Sequence, residues 1–113
     1  MSHVNSDYSL IKQGKVKSAY QSSTNPDNIL FDFSDRISAF DVILPTAIPE
    51  KGEILCKFAK FFFDNLHVDH HLIDIVDSTQ MIVKKLDMIP IECIVRGYLY
   101  GGLFERVNNG EIK

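Results

Sequence analysis

A chain of 113 residues suits one domain, and with 45% hydrophobic and 24% charged residues it belongs among folding sequences rather than disordered ones. Its formal net charge of -3 argues against a general nucleic-acid binder, so any polyanion must be met by a local group of cations. Two distant cysteines, Cys56 and Cys93, suggest neither a zinc site nor a disulfide framework, and no apolar run approaches the roughly 20 residues needed to cross a bilayer.

The segment Met1–Asp7 lacks the basic and apolar regions of a signal peptide, which makes a reducing cytosol the expected compartment. From Leu10 to Ser22 the residues alternate loosely; Thr24-Asn25-Pro26-Asp27-Asn28 then interrupts, and Ile29 to Phe33 resumes with strand-forming types, predicting a hairpin. Ser38 to Leu44 predicts a third strand stopped by Pro45, which supplies no ladder donor. Between Gly52 and Leu66, Ile54, Leu55, Phe58, Ala59, Phe62 and Leu66 recur at helical steps and predict an amphipathic helix lying on the sheet. A second hairpin is expected from Ile73–Val76 and Met81–Leu86 around Asp77-Ser78-Thr79. Pro90 separates it from an apolar strand over Ile91–Tyr100, in which Cys93 is expected to be a small buried hydrophobe. Gly101 to Asn108 predicts a short helix ended by Asn109-Gly110. Consecutive hairpins with one substantial helix indicate an α+β domain with a mainly antiparallel sheet.

Three places carry candidate chemistry. In Arg96-Gly97-Tyr98-Leu99-Tyr100-Gly101-Gly102, a guanidinium fork precedes two glycines that open a helix, a combination suited to a phosphate or carboxylate. If Gly14–Tyr20 is a strand, Lys15 and Lys17 share a face about 7 Å apart and can meet two phosphates, although spacing alone favours a solvated strand face. Ser38 and Asp41 place a hydroxyl and a carboxylate beside a strand, where turn formation is their commonest use. Neither a Walker A sequence nor Gly-x-Gly-x-x-Gly occurs. His67, His70 and His71 follow the expected helix end without a carboxylate at ligand spacing, so they are read as a loop cluster rather than a metal site.

Gly14-Lys15-Val16-Lys17, Asp35-Arg36-Ile37-Ser38-Ala39-Phe40-Asp41, Ile48-Pro49-Glu50-Lys51-Gly52, Val83-Lys84-Lys85-Leu86-Asp87-Met88-Ile89-Pro90-Ile91-Glu92 and the Arg96 segment occur in this order. Together they resemble the phosphoribosylaminoimidazole-succinocarboxamide synthase (SAICAR synthetase) family of purine biosynthesis, from about Gly14 onward. Members of that family are longer, with a C-terminal part that has no counterpart in these residues. The resemblance implies that residues 1–113 form an N-terminal ATP- and ribotide-binding lobe, somewhat like the small lobe of protein kinases. It assigns Lys15, Val16 and Lys17 to the ATP-binding hairpin, with both lysines at the phosphates, and Leu86 and Met88 to the adenine wall. Ser38, Asp41, Arg96 and the backbone N–H of Gly102 are assigned to the ribotide. The family usually has Gly-Ser where this chain has Gly101-Gly102, so one hydroxyl donor is missing.

The implied reaction is an ATP-dependent condensation of carboxyaminoimidazole ribotide with L-aspartate, giving SAICAR, ADP and phosphate. Lys15, Lys17 and Arg96 are its expected catalytic residues, and the ligands of Mg²⁺ are expected in the missing C-terminal part. The 113-residue chain alone is therefore expected to be inactive. A non-catalytic nucleotide-binding module, or an adaptor that retains only the fold, remains the alternative. No nucleic acid or membrane partner is expected; a homo-oligomer is compatible with a sequence that does not set oligomeric state.

Overall fold

The computed structural model describes residues 7–112, so all but Asp7 of the Met1–Asp7 segment lies outside the described residues. Five strands form one antiparallel sheet in the order β1-β2-β3-β7-β6: β1 (Tyr8–Gln13), β2 (Lys17–Ser22), β3 (Asn28–Phe33), β6 (Leu72–Asp77) and β7 (Gln80–Lys84). A miniature hairpin of β4 (Ser38–Ala39) and β5 (Val42–Ile43) leads into α1 (Lys51–Asn65), and α2 (Gly102–Asn108) comes last. The α+β class and the mainly antiparallel sheet match the expectation from sequence.

Two expected strands are divided. Leu10–Ser22 contributes β1 and β2, because the Gly14 N–H donates to the Lys17 carbonyl at 2.8 Å and closes a tight turn. The strand therefore begins at Lys17 rather than Gly14, and the alternation placing Lys15 and Lys17 on one strand face does not apply. Ser38–Leu44 likewise folds back on itself: Phe40 and Asp41 have φ of 49° and 65°, the left-handed pair needed by a two-residue hairpin turn.

The second hairpin forms as β6 and β7, and its neighbour across the sheet is β3, far away in sequence. Cross-strand rows then join Ala19, Phe31, Met81 and Ile75, with Ile29 beside Val83. On this face α1 seals a core of Ile29, Cys56, Met81 and Val83, flanked by Ala59 and Phe63. Met81 and Val83 are each 1% exposed; burying a side chain of this kind contributes roughly 1.5–3 kcal/mol.

The helix uses a different stripe from the expected one. Gly52, Cys56, Ala59 and Phe63 approach the sheet, whereas Ile54, Phe58, Phe62 and Leu66 are about half exposed. The cause is Gly52, where a Cβ would lie 2.4 Å from the Phe33 carbonyl oxygen, so only glycine permits this approach. Asp35 fixes the same helix end, its Oδ1 accepting the Gly52 N–H at 2.8 Å.

No strand forms over Ile91–Tyr100, and Cys93 is exposed rather than buried. A strand needs a neighbour for its backbone groups, and the sheet ends with β6 and β1 at its edges. Ile91, Ile94, Val95 and Tyr98 are correspondingly exposed. The last helix starts one residue later than expected, at Gly102, and Gly110 beyond it has a φ of 75°.

Candidate nucleotide cavity

A cavity of about 390 Å³ opens on the helix-bearing face of the sheet. Its floor is apolar: Ala19 on β2, Ile29 and Phe31 on β3, and Val83 on β7 present successive side chains to it. Leu86 and Met88 close one side. The ladder of β7 ends at Lys84, so the backbone groups of Leu86–Met88 lie outside it. Met88 is 81% exposed, a wall residue rather than core packing.

Lys12, Lys17, Lys84 and Lys85 also line this cavity, in a chain whose formal net charge is -3. Lys12, paired with Ala19, and Lys17 stand on the face that carries this floor, whereas Lys84 follows Val83 on β7 and alternates to the opposite face, and Lys85 Nζ donates to Gln21 Oε1 at 3.4 Å. Lys17 Nζ lies 4.2 Å from the centroid of the Phe31 ring, a cation–π distance. Partial desolvation pushes its pKa below the usual lysine value. His71 stands between Phe31 and Phe63, with ring centroids 6.0 and 5.4 Å away. Burial, then the charge of Lys17 and then His70, hold its pKa below the ordinary histidine value. His70 packs on Phe63 at 5.1 Å, so two of the three clustered histidines serve aromatic packing.

The cavity gathers Lys17, Leu86 and Met88 from the sequence-derived residues, together with Lys12, Lys84, Lys85 and His71, which sequence reasoning did not select. The adjacent Lys84-Lys85 pair at a strand end was a usable signal. Lys12 was not legible, because a β-bulge between Leu10 and Lys12 shifts the register of β1 and leaves Ile11 outside the pairing.

The other candidates lie apart from this lining. Lys15, in the β1–β2 turn, pairs with Asp41 at the tip of the small hairpin. Asp41's hydrogen bond from Lys15 and then its charge hold the carboxyl below the usual range. The Val16 carbonyl accepts from Ser34 N–H at 3.0 Å and from Ser34 Oγ at 2.7 Å. Ser38 is half-buried in β4, opposite Ile43. Arg96 donates from Nη1 to the Tyr100 carbonyl at 3.5 Å and stands beside Gly101, which immediately precedes Gly102 and α2.

Among the described residues no three His, Cys, Asp or Glu side chains gather into a metal-binding group. No helix among the described residues is long and apolar enough to cross a membrane.

Comparison with known proteins adds a consistent set of likenesses. The chain is 48% identical over 103 residues to the phosphoribosylaminoimidazole-succinocarboxamide synthase of Nitrosopumilus maritimus, covering 91% of this chain and 37% of the relative. It is 40% identical over 117 residues to the synthase of Mycobacteroides abscessus, covering 95% and 39%. The solved SAICAR synthase of Saccharomyces cerevisiae complexed with SAICAR superposes with a TM-score of 0.82 at 33% identity, over 95% of this chain and 44% of that one. A type-2 SAICAR synthetase in complex with ADP superposes with a TM-score of 0.65 at 27% identity, over 73% and 35%. The chain thus spans less than half the length of the relatives it matches. The sequence pattern described as SAICAR synthetase matches residues 10–112, and with these relatives it establishes that the chain belongs to the SAICAR synthetase family.

Proposed function

We propose that residues 1–113 are the ATP- and ribotide-binding lobe of a ligase that joins carboxyaminoimidazole ribotide to L-aspartate in purine biosynthesis. The observation that carries this reading is the cavity itself, where Leu86 and Met88 offer an apolar wall to a base and Lys12 and Lys17 stand on the same sheet face as its floor. A relative solved with ADP supports nucleotide as its occupant.

The chemistry begins when a carboxylate oxygen of the ribotide attacks the γ-phosphorus of ATP, and the bond to the ADP oxygen breaks. The aspartate amine then attacks the carbonyl carbon of the acyl phosphate; the C–O bond to phosphate breaks, phosphate leaves and the nitrogen loses a proton. Phosphoryl transfer asks a protein mainly for positioning and charge stabilisation. Lys17 supplies charge at the phosphates, and Lys15 joins it when phosphate replaces Asp41 as its partner. Arg96 orients the ribotide with its planar fork, and Ser38, Asp41 and the Gly102 N–H complete that subsite.

A second reading is a nucleotide-binding module without ligase activity. Supplying ATP, Mg²⁺, carboxyaminoimidazole ribotide and aspartate to residues 1–113 joined to the C-terminal part of a full-length relative, and measuring succinocarboxamide, separates the two. Product supports the ligase; ADP binding without product supports the module; absence of both rejects the cavity as a nucleotide site.

A further inference from the structure

The turn that carries Lys15 and leads into Lys17 is held from behind. Its Gly14 carbonyl accepts from Arg36 Nη2 at 3.1 Å, and its Val16 carbonyl accepts both donors of Ser34, at 3.0 and 2.7 Å. Arg36 Nη2 also reaches Ser18 Oγ at 3.4 Å. Ser18 follows Lys17 on β2, so strand alternation places it on the opposite sheet face. Arg36 correspondingly lines a separate cavity of about 530 Å³ and is not among the residues around the nucleotide cavity. Whatever Arg36 does for a nucleotide, it does through the turn.

Fold stability gives a poor account of this arginine. Its Nε is buried without a hydrogen-bond partner, and among the described residues it makes no ion pair. Nearby carboxylates are engaged elsewhere: Asp35 accepts from Gly52 N–H at 2.8 Å and Asp32 from Thr79 Oγ1 at 3.4 Å. A partly buried cation with two neutral acceptors and an orphaned donor is costly. What the guanidinium does accomplish is to fix two backbone-linked positions flanking the lysines, while Asp35 beside it anchors the start of α1.

We propose that Arg36 and Ser34 are positioning residues that hold the Gly14–Lys17 turn in the shape presenting its lysines to the phosphates of a nucleotide. The proposal rests on the assignment of Lys15 and Lys17 to those phosphates. Side chains that orient a ligand contact from behind affect affinity through geometry, without touching the ligand.

The test uses calorimetry of ADP and of adenosine on the protein, since their affinity ratio isolates the phosphate contribution. Arg36→Ala is expected to lower this ratio about tenfold, the size of one charge-assisted hydrogen bond, while adenosine affinity stays within about twofold. Arg36→Lys should recover part of the ratio, and Ser34→Ala, which keeps the backbone donor to Val16, should lower it about threefold. In a Lys15→Ala plus Lys17→Ala background, Arg36→Ala should lower it no further, because the two changes act on one contact. If Arg36→Ala does not fold, Ser34→Ala carries the test alone. Equal loss of ADP and adenosine would mean a merely structural role and overturn the proposal. So would an unchanged ratio in Arg36→Ala beside a lowered one in the lysine variant. A lysine variant with an unchanged ratio would reject the phosphate assignment itself, and the positioning role with it.

Discussion

Replacing Gly52 by alanine should separate α1 from the sheet by a distance that can be worked from the structure. The new Cβ would lie 2.4 Å from the Phe33 carbonyl oxygen, 3.0 Å from its carbon and 3.1 Å from the Ser34 carbonyl carbon. All three are backbone atoms of a paired strand or its continuation, so the relief must come from α1, which has to retreat by about 1 Å to restore ordinary contact. Retreat loosens Cys56 against Ile29, Met81 and Val83 and lengthens the Asp35 bond to the Gly52 N–H. Overpacking of this kind costs about 1–3 kcal/mol, and a weakened cap adds about 1 kcal/mol. Alanine's helix propensity returns at most about 1 kcal/mol. The net is a destabilisation of roughly 1–3 kcal/mol, read as a fall of roughly 4–12 °C in Tm for a domain of this size. Thermal unfolding followed by circular dichroism measures it, with Gly102→Ala as the control because no atom lies within 4 Å of its added Cβ. A fall under about 3 °C for Gly52→Ala would refute the argument that this glycine sets the helix position.

Lys15→Ala combined with Lys17→Ala should weaken ATP binding tenfold or more by calorimetry, while stability changes by about 0.5 kcal/mol or less; unchanged affinity would remove the lysine pair from the site. Because burial and Lys17 depress the His71 pKa, the unfolded chain binds its proton more readily than the folded one. His71's contribution to stability is therefore complete above the ordinary histidine pKa and declines as pH falls through the lower folded value; NMR titration of its ring against chemical unfolding at several pH values checks the sign. Arg96→Lys should raise the ribotide KM and leave ATP binding unchanged, since lysine keeps charge but loses the fork; equal damage to both substrates would make Arg96 structural. The 113-residue polypeptide by itself should bind ADP and form no succinocarboxamide, and turnover comparable to that of a full-length relative would refute this.

The candidate site was legible where its information is local. Gly14-Lys15-Val16-Lys17 and Leu86-Asp87-Met88 stand out as short strings, and Lys17, Leu86 and Met88 do meet around one cavity. Lys15 illustrates the limit: a single turn hydrogen bond, from Gly14 to Lys17, removes it from the strand and hands it to Asp41. Cys93 illustrates another. An apolar run reads as a buried strand, but burial requires a covering surface, and none of the sheet's free edges takes this segment as a strand.

By itself, the sequence determined the hairpins around Asn25-Pro26-Asp27 and Ser78-Thr79, the helix over Lys51–Asn65 and the short helix after Gly101. Turn chemistry and the periods of two and 3.6 residues act between near neighbours, so they are readable from a string. Tertiary structure decided which helix stripe meets the sheet, which lysines share a cavity and what holds the turn between them. Lys12 joins Ala19 and Lys17 on one face through a bulge, Gly52 turns Cys56 inward because of a carbonyl on Phe33, and Arg36 finds the Gly14 carbonyl across 22 residues. Each depends on register and close approach between distant segments, which local propensity does not encode.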